Sequence, residues 1–257
     1  MVIVTITSDW GEGGYYLGAL KGAILSLSQS VTVVEITNSI PSFDILQEAF
    51  ILKSCYNHFP KGSIHLMSVM SEPTHDAPMV ILYADYHYFI GINDGRFSHL
   101  FNNPPAICFE ILRERSRFIS TFSSLELFRN GVDIILNNSF ENKTVVSDVK
   151  RETIAEVVYN DDGIVGKVLY IDSFGNAITN IEKRLFDSLQ RGRTYTIYAN
   201  GPYNKINKIS KGYKDSLPGA AIALFNSLGL LEIAINQGNM SELEGMVPSS
   251  EVRIKFN

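Results

Sequence analysis

Residues 71 to 76 contain the densest group of side chains able to transfer protons, among them Glu72, His75 and Asp76. The segment follows residues 65 to 70, whose apolar character predicts a buried strand. In an open α/β sheet, ligands bind at the loops that follow the carboxyl ends of the strands. His75 is the best candidate for a general base, because an unperturbed imidazole has a pKa of about 6.5. The alternative is a solvated turn without a catalytic role.

A second candidate is the glycine-rich segment 11–14, which follows a predicted strand and precedes a predicted helix, with Glu35 ending the next strand. A dinucleotide-binding turn has a similar pattern, but Tyr16 stands where its third glycine belongs. Asp9 precedes the turn and would repel a pyrophosphate. It suits a neutral diol better, because a carboxylate can accept hydrogen bonds from both ribose hydroxyls. A plain tight turn remains the alternative.

Two segments of the second half of the chain, residues 171–181 and 226–236, combine polar side chains with glycine. Taken separately, the first is typical of a hairpin that turns at Gly175, and the second of a turn that enters a core strand. Neither segment alone indicates a function.

The elements that position these residues change in type near residue 150. Before it, strands and helices alternate, which predicts an α/β domain with a mainly parallel sheet over residues 1–150. Its predicted strands are residues 2–7, 31–36, 65–70, 80–84 and 88–92, and its predicted helices are residues 15–27 and a segment capped by Asp44.

After the polar residues 142–163, short strands with polar or glycine-bearing connections predict an antiparallel, barrel-like β domain over residues 164–257. The predicted strands are residues 167–171, 176–181, 194–198, 230–235 and 252–256, with one helix over residues 182–190.

The composition excludes several classes of function. The formal net charge of −5 over 257 residues argues against a nucleic-acid partner. No segment approaches the roughly 20 apolar residues that span a membrane. The first residues form a strand-like segment rather than a signal peptide, which predicts a cytoplasmic protein without a membrane partner. Cys55 and Cys108 are therefore expected to be reduced.

Four phrases occur together and in order: Ser8-Asp9-x-Gly11, Lys21-Gly22, residues 171–181 and residues 226–234. Their combination resembles the S-adenosyl-methionine hydroxide adenosyltransferases, relatives of the bacterial fluorinase and chlorinase. The resemblance implies a fluorinase-like N-terminal domain, a C-terminal barrel-like domain and a bacterial homotrimer. It also implies that the ligand lies between the N-terminal domain of one subunit and the C-terminal domain of its neighbour.

The resemblance implies three substrate-binding residues in the first domain, Asp9, Phe43 and Phe122. Asp9 is similar to the carboxylate that holds the ribose hydroxyls. Phe43 is similar to an aromatic residue that packs near the nucleoside.

The resemblance implies five further substrate-binding residues in the second domain. Asp172 is similar to the acid that faces the methionine ammonium group, and Ser227 to a donor for the methionine carboxylate. Phe174, Asn176 and Asn236 are similar to residues on the adenine side.

The family reaction displaces methionine from the ribose C5′ of S-adenosyl-methionine, with water or a halide as the nucleophile. S-adenosyl-methionine is then the substrate, and no cofactor or metal is expected. The departing thioether is neutral, so the reaction requires a positioned nucleophile but no general acid. The expected activity is hydrolysis to adenosine and L-methionine.

The residues that activate water in hydrolytic members of the family are replaced in this chain. The alignment places Met70 at the position of an aspartate, and Ala77 or Pro78 at that of an arginine. Ser123 stands at the position of a histidine.

Three alternatives are therefore open. Glu72, His75 or Asp76 would supply a substitute base for hydrolysis, or Ser124 would hold a halide as in the halogenating relatives. In the third alternative the protein is a degenerate, non-catalytic trimer that binds adenosine or S-adenosyl-methionine.

Overall fold

The computed structural model of the protein describes residues 1–101, 103–105, 108–112, 121–141, 144–146, 148–152 and 156–257. The chain divides into two compact units, Met1–Ile154 and Ala155–Asn257. The predicted fold class, an α/β domain followed by an antiparallel, barrel-like β domain, is confirmed.

The first unit contains a seven-stranded sheet with the order β2-β1-β3-β5-β4-β6-β7. Its strands are β1 (Val2–Thr7), β2 (Val31–Thr37), β3 (Ile64–Met67), β4 (Met79–Ala84), β5 (His87–Ile92), β6 (Cys108–Glu110) and β7 (Val145–Val146). Its helices are α1 (Tyr15–Leu25), α2 (Ile45–Cys55), α3 (Arg96–Leu100) and α4 (Ser123–Leu136).

The sheet is mixed. Strands β2, β1, β3 and β5 pair in parallel, whereas β4 pairs antiparallel with β5 and β6, and β6 with β7. The predicted parallel arrangement therefore holds for one half of the sheet. The other half is antiparallel because only Asp85 and Tyr86, both with positive φ, connect β4 to β5. A two-residue connection of this kind makes a hairpin.

Helices cover both faces of this sheet. Ile24 of α1 and Phe128 of α4 belong to one buried cluster, and Leu52 of α2 and Phe97 of α3 belong to another. All four residues of β3 are buried, as expected for a strand with both faces covered.

The carboxyl ends of the parallel strands lie at one edge of the sheet. The segments that start there are residues 8–14 after β1, 38–44 after β2, 68–78 after β3 and 93–95 after β5. The predicted strand 65–70 was too long, because β3 ends at Met67 and Met70 has a left-handed backbone with φ +46°. Ser68 still bonds to Thr7 at the end of β1, whereas Val69 and Met70 bond to buried side chains, as described below.

The second unit is built almost entirely of antiparallel strands. They are β8 (Val158–Asn160), β9 (Gly163–Ile171), β10 (Ala177–Glu182), β11 (Tyr195–Ala199), β12 (Lys205–Ile206), β13 (Ile209–Ser210), β14 (Ala221–Phe225), β15 (Leu230–Ile235) and β16 (Glu251–Phe256). The helices are α5 (Lys183–Gln190) and α6 (Met240–Glu244).

The strand order is β12-β11-β16-β9-β10-β15-β14-β13, with β8 also paired to β9. The first residues of β9 pair with β16, and its last residues pair with β10. The resulting nearly closed sheet surrounds one apolar core that includes Ile181, Leu231 and Ile254.

Cys55 and Cys108 are free thiols, as the sequence predicted. Burial raises the pKa of each thiol to about 11, so both remain protonated at neutral pH. Neither cysteine therefore has the thiolate character of a nucleophile.

Candidate functional site

Three buried hydroxyl groups lie at the carboxyl ends of β1 and β3. They belong to Thr7, Ser8 and Ser68, and among the described residues their oxygens have no hydrogen-bond partner. The Ser68 N–H donates to the Thr7 carbonyl at 2.9 Å, which joins the two strand ends. Buried polar groups in native proteins are almost always paired, so this edge is suited to a polar ligand.

Asp9 is the charged group at this edge. It is partly buried, and its Oδ2 accepts the backbone N–H of Phe43 at 3.0 Å. This bond brings together two residues that the sequence predicted for the site. A carboxylate can accept about four hydrogen bonds, so Asp9 retains the capacity to accept from two hydroxyls.

Phe43 belongs to an exposed groove between β2 and α2. The groove is lined by residues 41–46 and Glu152. Phe43 is 71% exposed and has a φ of +71°. The Asp44 side chain accepts the Gln47 N–H at 2.9 Å, which confirms the predicted cap of α2. The cap and the bond from Asp9 together fix the segment that carries the Phe43 ring.

Aromatic side chains lie beside Asp9 in the chain. The Phe122 ring makes edge contacts with Trp10 at 5.3 Å and Tyr16 at 4.9 Å between ring centres, and Tyr15 stacks on Tyr16. Such rings can stack on a nucleobase. The sequence predicted Phe122 but missed Trp10, the one tryptophan in the chain, which directly follows Asp9.

The first part of the segment after β3 is fastened to the start of α4. The Ser71 hydroxyl donates to Ser124 Oγ at 3.0 Å, and the Ser123 hydroxyl donates to Glu72 Oε2 at 2.6 Å. Both α4 serines are buried. The structure therefore brings together two of the predicted catalytic candidates, Glu72 and Ser124.

The other two catalytic candidates lie at the tip of the same segment. The His75 and Asp76 side chains are fully exposed, and His75 Nδ1 lies 3.1 Å from Asp76 Oδ1. The hydrogen bond and the charge of His75 lower the pKa of the Asp76 carboxyl. Water surrounds both groups, so neither has the dry surroundings that strengthen a catalytic base.

A buried ion cluster that sequence reasoning missed lies next to this edge. Arg96 is fully buried and pairs with Glu48 at 3.0 Å and with Asp94 at 2.8 Å. Burial raises the pKa of Glu48, against the opposing effect of Arg96. Burial also acts to raise the pKa of Asp94, but the bonds from Arg96 bring it below its usual value. The Asp9 charge acts on Glu48 and Arg96, so the cluster and Asp9 are within electrostatic reach.

In the second unit, Asp172 shapes its own turn. Its Oδ1 accepts the N–H groups of Phe174 and Asn176, each at 2.9 Å, and its Oδ2 accepts Asn176 Nδ2 at 3.0 Å. Gly175 has a φ of +79°, in agreement with the predicted hairpin turn. The turn leaves the Phe174 ring 75% exposed.

The remaining predicted residues lie at two other turns of this unit. Ser227 is exposed in the turn before β15. Asn236 is buried, and its Nδ2 donates to the Ser216 carbonyl at 2.7 Å. The buried Glu232 accepts a hydrogen bond from Tyr213, a contact that sequence reasoning missed. Burial and the neighbouring Glu232 raise the pKa of Tyr213.

Metal-binding and membrane-spanning features are not found in the described part of the chain. There, no group of three histidine, cysteine or acidic side chains could hold a metal ion. Within the same residues, no helix combines the length and the apolar character needed to cross a membrane.

Comparison with known proteins gives matches over nearly the whole chain. Residues 4–145 match the family model of the SAM hydroxide adenosyltransferase N-terminal domain, and residues 166–253 match that of the C-terminal domain. The chain is 27% identical over 269 residues to the (R)-S-adenosyl-L-methionine hydrolase of Methanocaldococcus jannaschii, covering 99% of this chain and 96% of the relative. It is 22% identical over 262 residues to the protein of that name from Thermus thermophilus, covering 98% of each chain.

Two solved structures share the fold. An uncharacterized conserved protein from Thermotoga maritima has a TM-score of 0.82 and 21% identity, covering 99% of this chain and 100% of the other. A conserved hypothetical protein from Thermus thermophilus has a TM-score of 0.72 and 20% identity, covering 100% of both chains.

Proposed function

The chain belongs to the SAM hydroxide adenosyltransferase family, and on this premise we propose that it hydrolyses S-adenosyl-methionine to adenosine and L-methionine. In this reaction a water oxygen bonds to the ribose C5′ as the bond from C5′ to sulfur breaks. The electron pair leaves with sulfur as the neutral thioether of methionine. The water molecule releases one proton, so the residues must hold the water in line and accept that proton.

The observation that carries the proposal is the edge formed by β1 and β3. Thr7, Ser8 and Ser68 have buried hydroxyls without partners among the described residues, and Asp9 follows directly. Asp9 would accept the two ribose hydroxyls, and the three hydroxyls would bond to the ribose and the attacking water. The Trp10 and Phe122 rings would pack against the nucleoside.

The surroundings of the candidate bases favour Glu72. Ser123 occupies the position of the family histidine, and its hydroxyl donates to the Glu72 carboxylate at 2.6 Å. Glu72 is therefore bonded to the residue that the resemblance aligns with that histidine. Glu72 is also an exposed residue, but it bonds to the buried Ser123, whereas the candidates His75 and Asp76 bond to each other. No cofactor is needed for this chemistry, because the sulfonium is already a good leaving group.

The candidate residues of the second unit contribute to the proposed site through assembly of several copies of the chain. We infer a homotrimer in which Phe174 and Ser227 of one copy face Asp9 of a neighbour. The exposure of Phe43 at 71% and Phe174 at 75% supports this arrangement, because large exposed apolar side chains favour burial in an interface. Light scattering at micromolar concentration should give three times the 28.7 kDa of one chain. A monomer would leave the proposed site without its second half. We also propose that the protein is cytoplasmic.

A non-catalytic adenosine-binding protein is the second candidate function. It is favoured by the replacement of the family's catalytic residues by Met70, Ala77 or Pro78, and Ser123. Such a protein would retain Asp9 and the unpartnered hydroxyls, and it would release no product.

Incubation with S-adenosyl-methionine in ¹⁸O-labelled water separates these functions. Hydrolysis at C5′ predicts adenosine that carries ¹⁸O in its 5′-hydroxyl, together with unlabelled methionine, both detected by mass spectrometry. Added chloride or fluoride tests halogenation, which would give 5′-halo-adenosine through Ser124. Adenosine binding in calorimetry without any product would establish the non-catalytic function instead.

A further inference from the structure

Arg96 uses all of its side-chain N–H groups inside the protein. Nε and Nη2 donate to the two oxygens of Asp94, at 3.0 and 2.8 Å. Nη1 donates to Glu48 Oε2 at 3.0 Å. The two remaining N–H groups point to backbone carbonyls, that of Val69 at 2.8 Å and that of Met70 at 3.3 Å. A guanidinium has five N–H donors, so every one of them has an acceptor.

The other carboxylate oxygen of Glu48 accepts a hydrogen bond from the same backbone segment. Its Oε1 accepts the Val69 N–H at 2.8 Å. Both polar groups of the Val69 backbone are thus bound to the ion pair, one to each partner. Since Glu48 and Arg96 are fully buried, water does not compete for these bonds.

These contacts explain why the chain leaves the sheet after β3. Val69 turns its N–H and carbonyl toward the ion pair rather than toward a neighbouring strand. Met70 then adopts a left-handed backbone, a strained conformation for a non-glycine residue that persists only where its surroundings impose it. Ser68, immediately before this point, is left with its hydroxyl buried at the proposed site.

A buried ion cluster is a costly way to stabilise a fold, because apolar residues of the same size often stabilise it equally well. Its geometry is better explained by what it holds. The segment that it fixes contains Met70 and follows Ser68, whose buried hydroxyl has no partner among the described residues.

We propose that Arg96 is a positioning residue for the reaction, which acts through the backbone of Val69 and Met70 and sets the place of the Ser68 hydroxyl. Glu48 and Asp94 keep the guanidinium in the plane that reaches both carbonyls. The inference rests on the proposed hydrolysis.

The test compares Arg96→Lys with Arg253→Lys. Arg253 makes an exposed pair with Glu251, so the control removes the same guanidinium from a pair outside the cluster. Lysine keeps the charge but has three donors, so it cannot serve Asp94, Glu48 and both carbonyls. The kcat of Arg96→Lys should fall about 10- to 100-fold, as expected for a small displacement of a reacting group. The KM and the affinity for adenosine should change little, and Arg253→Lys should match the wild type.

Equal kcat in folded Arg96→Lys and Arg253→Lys would overturn the proposal. If Arg96→Lys does not fold, Glu48→Gln replaces it, because the amide keeps an acceptor for the Val69 N–H and loses the one for Nη1. This variant should show the same fall in kcat without a change in KM, and a wild-type kcat would contradict it.

A wild-type protein without turnover would refute the proposed hydrolysis separately. Hydrogen exchange then decides the positioning role. The amides of Ser68 and Val69, which donate to Thr7 and Glu48, should exchange faster in Arg96→Lys than in Arg253→Lys. Equal exchange rates in the two variants would overturn the role of Arg96.

Discussion

Charged side chains of the first unit join distant segments of the chain, whereas Asp172 of the second unit is held by its own turn. All five histidines lie in the first unit, and there His65, Glu48 and Arg96 are buried within the sheet and its helices. In the second unit, Asp172 is bound by the turn that contains it, through three hydrogen bonds within four residues. The first unit joins distant segments with buried polar groups, whereas Asp172 organises a local loop.

The difference is clearest between the two aspartates assigned to the ligand. Asp9 accepts one backbone N–H and lies beside hydroxyls without partners among the described residues. Asp172 accepts three N–H groups from its own loop. We therefore expect Asp9 to contribute mainly to binding, and Asp172 to contribute to both binding and the shape of its turn.

A lowered pH should separate the stabilities of the two units more strongly than any other change described here. His65 is bonded to Thr5 at 2.8 Å and lies 3.2 Å from His87, and burial, followed by the His87 charge, lowers its pKa to about 3. The stability that neutral His65 contributes is present above its unfolded pKa of about 6.5 and is lost as the pH falls toward 3. The loss reaches about 4 to 5 kcal/mol for a shift of this size.

Chemical denaturation followed from pH 7 to pH 3, with hydrogen exchange to assign each unit, measures this effect. The first unit should lose stability first, and His65→Asn should reduce the slope between pH 6.5 and 3. Simultaneous loss in both units would remove the proposed contrast.

Glu72→Gln should give the next largest effect. The amide keeps the bond from Ser123 but cannot accept a proton, so adenosine release should fall about 100-fold or more. The fold should remain, since Glu72 is an exposed residue. Steady-state assays beside a melting curve would check both points, and unchanged turnover would exclude Glu72 as the base.

Asp9→Asn should weaken adenosine binding by about 1 to 3 kcal/mol, the usual range for hydrogen bonds to a charged group. Calorimetry with adenosine and 2′,3′-dideoxyadenosine provides the measurement and its control. The wild type should prefer adenosine, and the variant should prefer it less. Equal affinity of the wild type for both nucleosides would show that Asp9 serves only the Phe43 N–H.

Asp172→Ala should reduce stability by about 1 kcal/mol or more, because the turn loses three local hydrogen bonds, of which the two to Asn176 are partly buried. Asp172→Asn, which retains an acceptor oxygen, should lose less. Denaturant unfolding of both variants measures the difference. Identical stability of the wild type and Asp172→Ala would mean that the turn forms without its carboxylate.

The smallest effect is expected for His75→Ala. Its side chain is fully exposed and its hydrogen bond to Asp76 joins two exposed groups, so stability should change by less than about 0.5 kcal/mol. Turnover should stay near the wild-type value. A fall of about 10²- to 10⁴-fold would instead identify His75 as the base.

Local patterns predicted much of the fold. The Asp44 cap, the turn at Gly175 and most strand positions followed from neighbouring residues. Six short strands, β6, β7, β8, β12, β13 and β14, and the helices α3, α4 and α6 were not predicted. α4 begins at two serines, directly after Phe122. The extent of β3 was wrong because the groups that end it are distant in the sequence.

The candidate site was predicted only in part, again because some of its groups are distant in the sequence. Asp9 stands in a recognisable phrase, whereas the pairing of Glu48 with Arg96 joins residues 48 positions apart. Glu48 lies in the mostly apolar α2 and Arg96 follows a glycine, and neither position identifies its partner. The sequence also did not predict the three hydroxyls without partners among the described residues, since a buried serine or threonine hydroxyl usually has a hydrogen-bond partner.

The place of β16 has a consequence for synthesis on the ribosome. β16 lies between β11 and β9 in the second sheet, and it is the last strand of that sheet to be translated. Until Phe256 has emerged, β9 and β11 each expose an unpaired edge to other nascent chains. Among the described residues, the first unit holds no strand beyond Val146 and can complete its sheet much earlier. During translation, the second unit should therefore depend on chaperones more than the first unit does.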